Sequence, residues 1–383
     1  MPSSDRIIGF DGIRAIAVCM VVFSHLHLPA FLVHLGHLAP STIPMLDGNA
    51  GVQAFFVLSG FLITLLLVQE RQRAGAISLK HFYIRRTLRI VPLYTLFLLV
   101  LTAIHAAGVY VTTWPSLGYA YFYIFNFVPV KWYTSILGHT WTLAVEEHFY
   151  LLWPPILAAA LLSRRRFLLS GLAAFIVLSF VLLQVLLGFT HLDEIFHVRK
   201  WTFIAGSNIA FGCLAALMLT EGRHVATWSR LLGHPLALLA AATLYANSTY
   251  LDAGWRDVGS YLRAAGLMLL IAWIHLNQRS IVARVLELAP LRYIGKISYG
   301  IYIWQGFFLS TGAYRAVGQG WPPPDPALGL LLLVVVAPLS YHFFEKPFLR
   351  LKTRFSTHDL GDADARDLDG RRAAPAIGRR QPG

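Results

Sequence analysis

Apolar runs of about 17–22 residues recur along nearly the whole chain, at 9–28, 50–69, 89–108, 142–162, 167–189, 201–220, 234–250, 260–276, 297–314 and 326–344. Wound as α-helix at about 1.5 Å per residue, runs of this length match the hydrocarbon core of a bilayer, which is about 30 Å thick. They restrict the chain to an all-α fold, a polytopic membrane helix bundle with about ten transmembrane helices. Composition agrees: 13% of the residues are charged and 56% hydrophobic, where a soluble protein carries about 25% charged residues. The stretch 115–130 is weaker. It is aromatic and interrupted by Asn126 and Pro129, so it reads as interfacial or re-entrant, with an eleventh span as the alternative.

A net charge of +13 would ordinarily suggest a nucleic-acid partner. Here the basic residues cluster just outside the apolar runs, which is the mark of membrane topology. With the N-terminus inside, 25 of the 32 Lys and Arg residues fall on cytoplasmic segments, six fall outside, and Arg14 lies within a span. Both termini are therefore expected in the cytoplasm, and no nucleic acid is expected as a partner. The first run lacks a small-residue cleavage site and is too long for a signal-peptide core, so it reads as a retained helix. Residues 1–350 read as the membrane domain. Residues 351–383, rich in Asp, Arg, Gly, Ala and Pro, read as a disordered cytoplasmic tail. The two cysteines, Cys19 and Cys213, sit in apolar runs and read as core fillers, and no metal site is expected.

Polar residues inside the runs are the candidates for function, because ionisable groups in hydrocarbon are costly. Arg14 and His25 are eleven residues apart, which returns a helix to almost the same face about 16 Å further along its axis. A bundle-facing pair and a snorkelling Arg14 with a helix-end His25 are both open. Ser59 and Gly60 are small and suit close helix approach. Arg86 and Arg89 are three apart and share a face. They suit either a bidentate phosphate grip or a positive-inside anchor on lipid headgroups. His139-Thr140-Trp141-Thr142 followed by Glu146-Glu147-His148 places carboxylates and imidazoles at the outer end of a span. A carboxylate can orient a catalytic imidazole, while Trp141 and Tyr150 could equally be belt anchors. Metal binding by Glu-Glu-His is poorly supported by spacing. His27, His34 and His37 read as solvated loop residues. No Walker loop, dinucleotide fingerprint or Gly-x-Ser-x-Gly elbow occurs.

Taken in order, these segments resemble the membrane-bound acyltransferase type 3 family, which acylates sugars and other hydroxyl acceptors. The likeness runs from about residue 6 to 350. It is carried by Phe10-Asp11-Gly12-Ile13-Arg14 leading to His25, by Gly51-Val52 and Phe55–Phe61, and by Phe82–Tyr94 with the arginine pair. His139–Pro154 follows, with Thr142 where the family's pattern has Ser, then Ile294–Trp304 and Glu345-Lys346-Pro347-Phe348. Many relatives carry a histidine after the late tryptophan, where this chain has Gln305, so that position was not expected to act in proton transfer. The fused periplasmic esterase-like domain of some members is not seen, and a stand-alone membrane module is expected.

The resemblance implies an integral-membrane O-acyltransferase, above all an O-acetyltransferase, in a bacterial cytoplasmic (inner) membrane. It would move an acyl group from cytoplasmic acyl-CoA, a co-substrate and not a resident cofactor, to a hydroxyl of a carbohydrate or glycolipid. His25 would be the general base. Glu146 would orient it, Arg14 would steady the thioester end, and Arg86 and Arg89 would hold the nucleotide phosphates. Ser59, Trp141 and Tyr150 would support the site. A small hydroxylated metabolite such as a macrolide is an alternative acceptor. A transporter is the alternative of a different class, although neither an internal repeat nor a matched pair of broken helices is evident.

Overall fold

The computed structural model describes residues 7–37, 46–108, 112–162, 167–222, 224–251, 257–309 and 325–355. Sixteen helices follow one another: α1 (Phe10–His25), α2 (Leu28–His34), α3 (Gly48–Ala74), α4 (Leu79–Ala106), α5 (Trp114–Tyr121), α6 (Thr140–Leu162), α7 (Leu168–Phe189), α8 (Leu192–Ile195), α9 (Thr202–Thr220), α10 (Val225–Gly233), α11 (Pro235–Leu251), α12 (Val258–Leu276), α13 (Ile281–Leu286), α14 (Ala289–Phe308), α15 (Pro326–Leu339) and α16 (Lys346–Thr353). Among the described residues no strand forms. Six helices are long and apolar enough to cross a membrane: α3, α4, α7, α9, α12 and the continuous Pro326–Lys352. Each of the other four expected runs is also helical. However, α1 and α11 have only 16 and 17 residues, α6 carries Glu146, Glu147 and His148, and α14 carries Arg292 and Lys296.

Helix α3 is the axis of the bundle. Of its most apolar stretch 72% is buried, against 22% for α7 and 17% for the final span, whose exposed Leu and Val side chains suit lipid. Small residues set how closely the axis is approached. A Cβ at Gly60 would sit 1.9 Å from the Ile209 carbonyl oxygen, and one at Gly212 would sit 1.9 Å from that of Val57. Backbone therefore packs on backbone where α3 crosses α9, the close approach that small residues permit. The same device seats α1. Gly51 of α3 meets the Ala17 carbonyl, and Gly295 of α14 meets that of Asp11.

One open reading narrows and three expectations change. Residues 115–130 are not an eleventh span. The helix there, α5, has eight residues, about 12 Å long, and gives way to short 3₁₀ turns at Phe125–Phe127 and Val130–Trp132. Its buried members Leu117, Ala120 and Phe125 pack with Phe97 and Trp304. The re-entrant or interfacial reading fits this geometry. Next, α4 begins at Leu79 and not at 89, so Arg85, Arg86 and Arg89 lie within the helix, about 9–15 Å from its start. The run read as 297–314 begins at Ala289, because Pro290 suits a first helical turn. Its stretch 310–314 lies outside the described residues, as does 356–383 of the expected tail. Finally, the last span is not a plain helix. After Pro338, which lacks an N–H, a π-helical turn spans Ser340–Glu345 and turns Glu345 inward, 7% exposed, against Gly300.

Candidate active site

A cavity of about 370 Å³ opens between α1, α3, α4, α6, α14 and α16. Its wall gathers residues from distant parts of the sequence. Arg14, Ser59, Arg86, Arg89 and Glu146, all singled out in the sequence, line it. So do Asp11, Glu70, Arg85 and Lys352, which were not. The rest of the lining is largely apolar, with Phe55, Phe56, Leu62 and Ile63 among it.

The charges are arranged unevenly. Arg14 Nη1 donates to Asp11 Oδ1 at 2.8 Å, one turn back along α1. Arg85 pairs with Glu70 at 3.1 Å and also donates to the Phe355 carbonyl, tying the end of α16 to α4. Arg86 Nη2 lies 3.5 Å from Glu146 Oε2, and its guanidinium carbon stands 3.5 Å above the centre of the Tyr150 ring. Ser59 Oγ hydrogen-bonds the Tyr150 hydroxyl. Arg86, Glu146, Tyr150 and Ser59 therefore form one network, which fixes Arg86 by charge on one side and by the π-face on the other. Arg89 and Lys352 have no carboxylate partner within salt-bridge distance among the described residues. The wall thus holds five cations against three carboxylates, an excess of positive charge in a largely apolar cleft.

Two of the sequence readings are resolved by this placement. Tyr150 is 1% exposed, so it is not a belt anchor at the membrane surface. Ser59 and Gly60 divide the work: Gly60 packs on α9, while Ser59 faces the cavity. One expected contact is replaced. Glu146 meets Arg86, and the imidazole of His25 is anchored elsewhere, its Nδ1 lying 2.8 Å from the Val21 carbonyl. A carbonyl only accepts, so Nδ1 carries the proton and Nε2 holds the lone pair in the neutral ring. His25 is the last residue of α1 and is not part of the lining of the arginine cavity. It lies one turn beyond Val21 and Val22, which pack with Tyr302 and with Ile136 and Trp304. Histidines 27, 34 and 37 are exposed.

Beyond Phe56 of the cavity wall lies an aromatic and basic patch. Lys200 Nζ stands 4.1 Å from the ring centre of Tyr133 and 6.0 Å from that of Trp141, and Trp141 packs edge-on to Phe56. Burial pushes the Lys200 ammonium down to about 8. Burial first, then the Lys200 charge, pushes His197 down to about 4. No cluster of His, Cys, Asp or Glu suited to a metal ion occurs among the described residues.

The sequence profile of the acyltransferase domain of type 3 matches residues 7–343. The chain belongs to this family. "Putative O-acetyltransferase SACOL0978" of Staphylococcus aureus strain COL is 29% identical over 367 residues, covering 89% of this chain and 57% of that protein. "O-acetyltransferase OatA" of Staphylococcus aureus strain NCTC 8325 is 29% identical over 366 residues, covering 88% and 56%. The chain therefore spans somewhat over half the length of these relatives. No solved structure matches it. Family membership together with the apolar helices makes this an integral membrane protein of that family.

Proposed function

We propose that the chain is an acyl-CoA-dependent O-acetyltransferase that acylates a carbohydrate or glycolipid hydroxyl on the outer side of a bacterial cytoplasmic membrane. The supporting observation is the cavity: an apolar cleft with Arg86 locked against Glu146 and Tyr150, and Arg89 and Lys352 without a carboxylate partner among the described residues. Guanidinium forks and an ammonium without counter-ions suit the phosphates of a nucleotide thioester, and the apolar wall suits a pantetheine arm. Acetyl-CoA is a co-substrate in this reading, and no resident cofactor is invoked. We take the ten helical runs as ten traverses with both termini cytoplasmic, so the donor enters from the end that carries Arg85 and Lys352.

His25 would act at the other end. Helix α1, at 16 residues, is about 24 Å long, shorter than the hydrocarbon core, so its final residue lies at membrane depth. The acceptor hydroxyl gives its proton to Nε2 of His25, and its oxygen attacks the thioester carbonyl. The C–S bond then breaks and the coenzyme A thiolate leaves, taking a proton in turn. Arg14 would steady the thioester end, and Glu146 would act by holding Arg86. Ser59 and Tyr150 complete that brace, and Trp141 lines the outer rim.

Calorimetry on the detergent-purified protein tests the reading. Acetyl-CoA should bind and be consumed when a hydroxyl acceptor is present. A protein that moves sugars without binding the thioester would return the chain to the transporter reading.

A further inference from the structure

A second polar cluster lies outside the arginine cavity, at the end of α14. His139 is 6% exposed, and neither of its ring nitrogens meets a hydrogen-bond partner in the protein. Gln305 is fully buried, and neither its amide oxygen nor its amide nitrogen has a partner. The indole N–H of Trp304, next to it in the chain, is buried and unpartnered as well. The His139 ring and the Trp304 indole share Phe97 as a neighbour, and His139 lies against Gly306, next to Gln305 in the chain; native interiors rarely leave buried polar atoms unpaired, so these five atoms call for a ligand.

The backbone around them is built with care. The Tyr302 hydroxyl donates to the His139 carbonyl at 3.2 Å and lies 2.7 Å from Thr142 Oγ1, which itself donates to that carbonyl at 2.9 Å. The His139 ring is wedged edge-on between Phe97 and Tyr302. It lies directly on Gly306, where a Cβ would fall 2.1 Å from Nδ1. The main chain of His139 is thus fixed by two hydroxyls, while its ring nitrogens are left open.

We propose that His139 and Gln305 form the acceptor subsite, holding hydroxyl groups of a polyhydroxylated substrate beside His25. This inference rests on the acetyltransferase reading and names the side of the molecule that reading leaves unassigned. A neutral imidazole offers one donor and one acceptor, and a carboxamide offers two donors and an acceptor. A saccharide hydroxyl both donates and accepts, so adjacent hydroxyls of one sugar can satisfy both side chains. Lipid chains and thioesters lack the donors. The 3₁₀ turn Ser135–Leu137 covers the cluster, with the Ile136 carbonyl against Gly306.

The test uses the full chain in detergent, labelled acetyl-CoA, and membrane extract of the producing cells as the source of hydroxyl acceptors. Variants His139→Phe and Gln305→Leu replace the open polar atoms by apolar groups of similar size. Label is followed separately into glycan and into free acetate, and thermal stability and the acetyl-CoA KM are recorded. The subsite predicts unchanged or higher melting temperature, unchanged donor KM and retained hydrolysis to acetate, with transfer to glycan down at least tenfold. His139→Gln, which keeps a donor and an acceptor, should recover part of the transfer. Unchanged glycan transfer overturns the inference. A lowered melting temperature with donor binding also lost overturns it too, since it would make the pair structural. Wild-type protein that binds no acetyl-CoA would instead sink the acetyltransferase reading, and the subsite with it.

Discussion

Arg89→Ala separates a phosphate grip from a topology anchor. Arg89 lines the cavity without a carboxylate partner among the described residues, so its removal breaks no ion pair and relieves a charge held in an apolar wall. Melting temperature should stay level or rise. If the guanidinium instead meets a donor phosphate, the variant loses a charge-assisted hydrogen bond, about 1.5–3 kcal/mol. At about 1.4 kcal/mol per decade, that raises the acetyl-CoA KM roughly 10–150-fold. Arg86→Ala provides the contrast. It strips Glu146 of its partner and Tyr150 of the cation above its ring. The pair is 22% and 16% exposed, so the cost should be about 1–3 kcal/mol, below the 3–5 of a fully buried pair. Arg86→Ala is thus expected to lose both stability and donor affinity, and Arg89→Ala affinity alone. Differential scanning fluorimetry beside initial-rate kinetics resolves the two. A destabilised Arg89→Ala with unaltered donor KM would refute the reasoning and return Arg89 to lipid headgroups.

Further outcomes follow from single contacts. Ser59→Ala leaves the buried Tyr150 hydroxyl without its partner and should cost about 1–3 kcal/mol, while Ser59→Ala with Tyr150→Phe should cost less than the two changes summed; full additivity in thermal denaturation would show the contact to be idle. Gly60→Ala forces a Cβ to 1.9 Å from the Ile209 carbonyl, and because backbone cannot yield like a side chain, a loss of about 1–3 kcal/mol or more is expected; a wild-type melting temperature would contradict the α3–α9 crossing. In the patch around Tyr133, His197 and Lys200 both protonate less readily folded than unfolded. The unfolded chain then binds more protons from pH about 4 to 6.5 and again from about 8 to 10.5, so stability should rise with pH across both windows. Lys200→Met should diminish the alkaline rise, and a melting temperature flat with pH in the parent protein would rule out burial of both groups.

The fold was legible because hydrocarbon admits few solutions: each of the ten apolar runs is helical, with ends shifted by a few residues. The larger shifts have local causes. The start of α4 moved ten residues because hydropathy alone ends an apolar run at its first arginines, whereas long cationic side chains are tolerated inside a helix that borders a charged cleft. The π-turn at Ser340–Glu345 leaves no periodic trace, although Pro338 marks where it begins. For the site, spacing put Arg86 and Arg89 on one face, while Arg14 stood open between the bundle and a snorkelling position until the structure set it in the cavity wall. Pairing across helices was beyond reach, so Glu146 went to His25 on paper and to Arg86 in space. Lys352 lay hidden among tail cations. His139 was visible as an odd polar residue, but nothing in one sequence showed that its ring rests on Gly306, and Gln305 was set aside because it cannot carry a proton, which is not what a subsite requires.

The most direct test of the central claim is His25→Ala. With Nδ1 held by the Val21 carbonyl, the proposed reaction uses Nε2 as its base, and its loss should lower acetyl transfer by roughly 10²–10⁴-fold while acetyl-CoA binding by calorimetry and melting temperature stay near those of the parent. Transfer within a fewfold of the parent, at equal donor occupancy, would contradict the account.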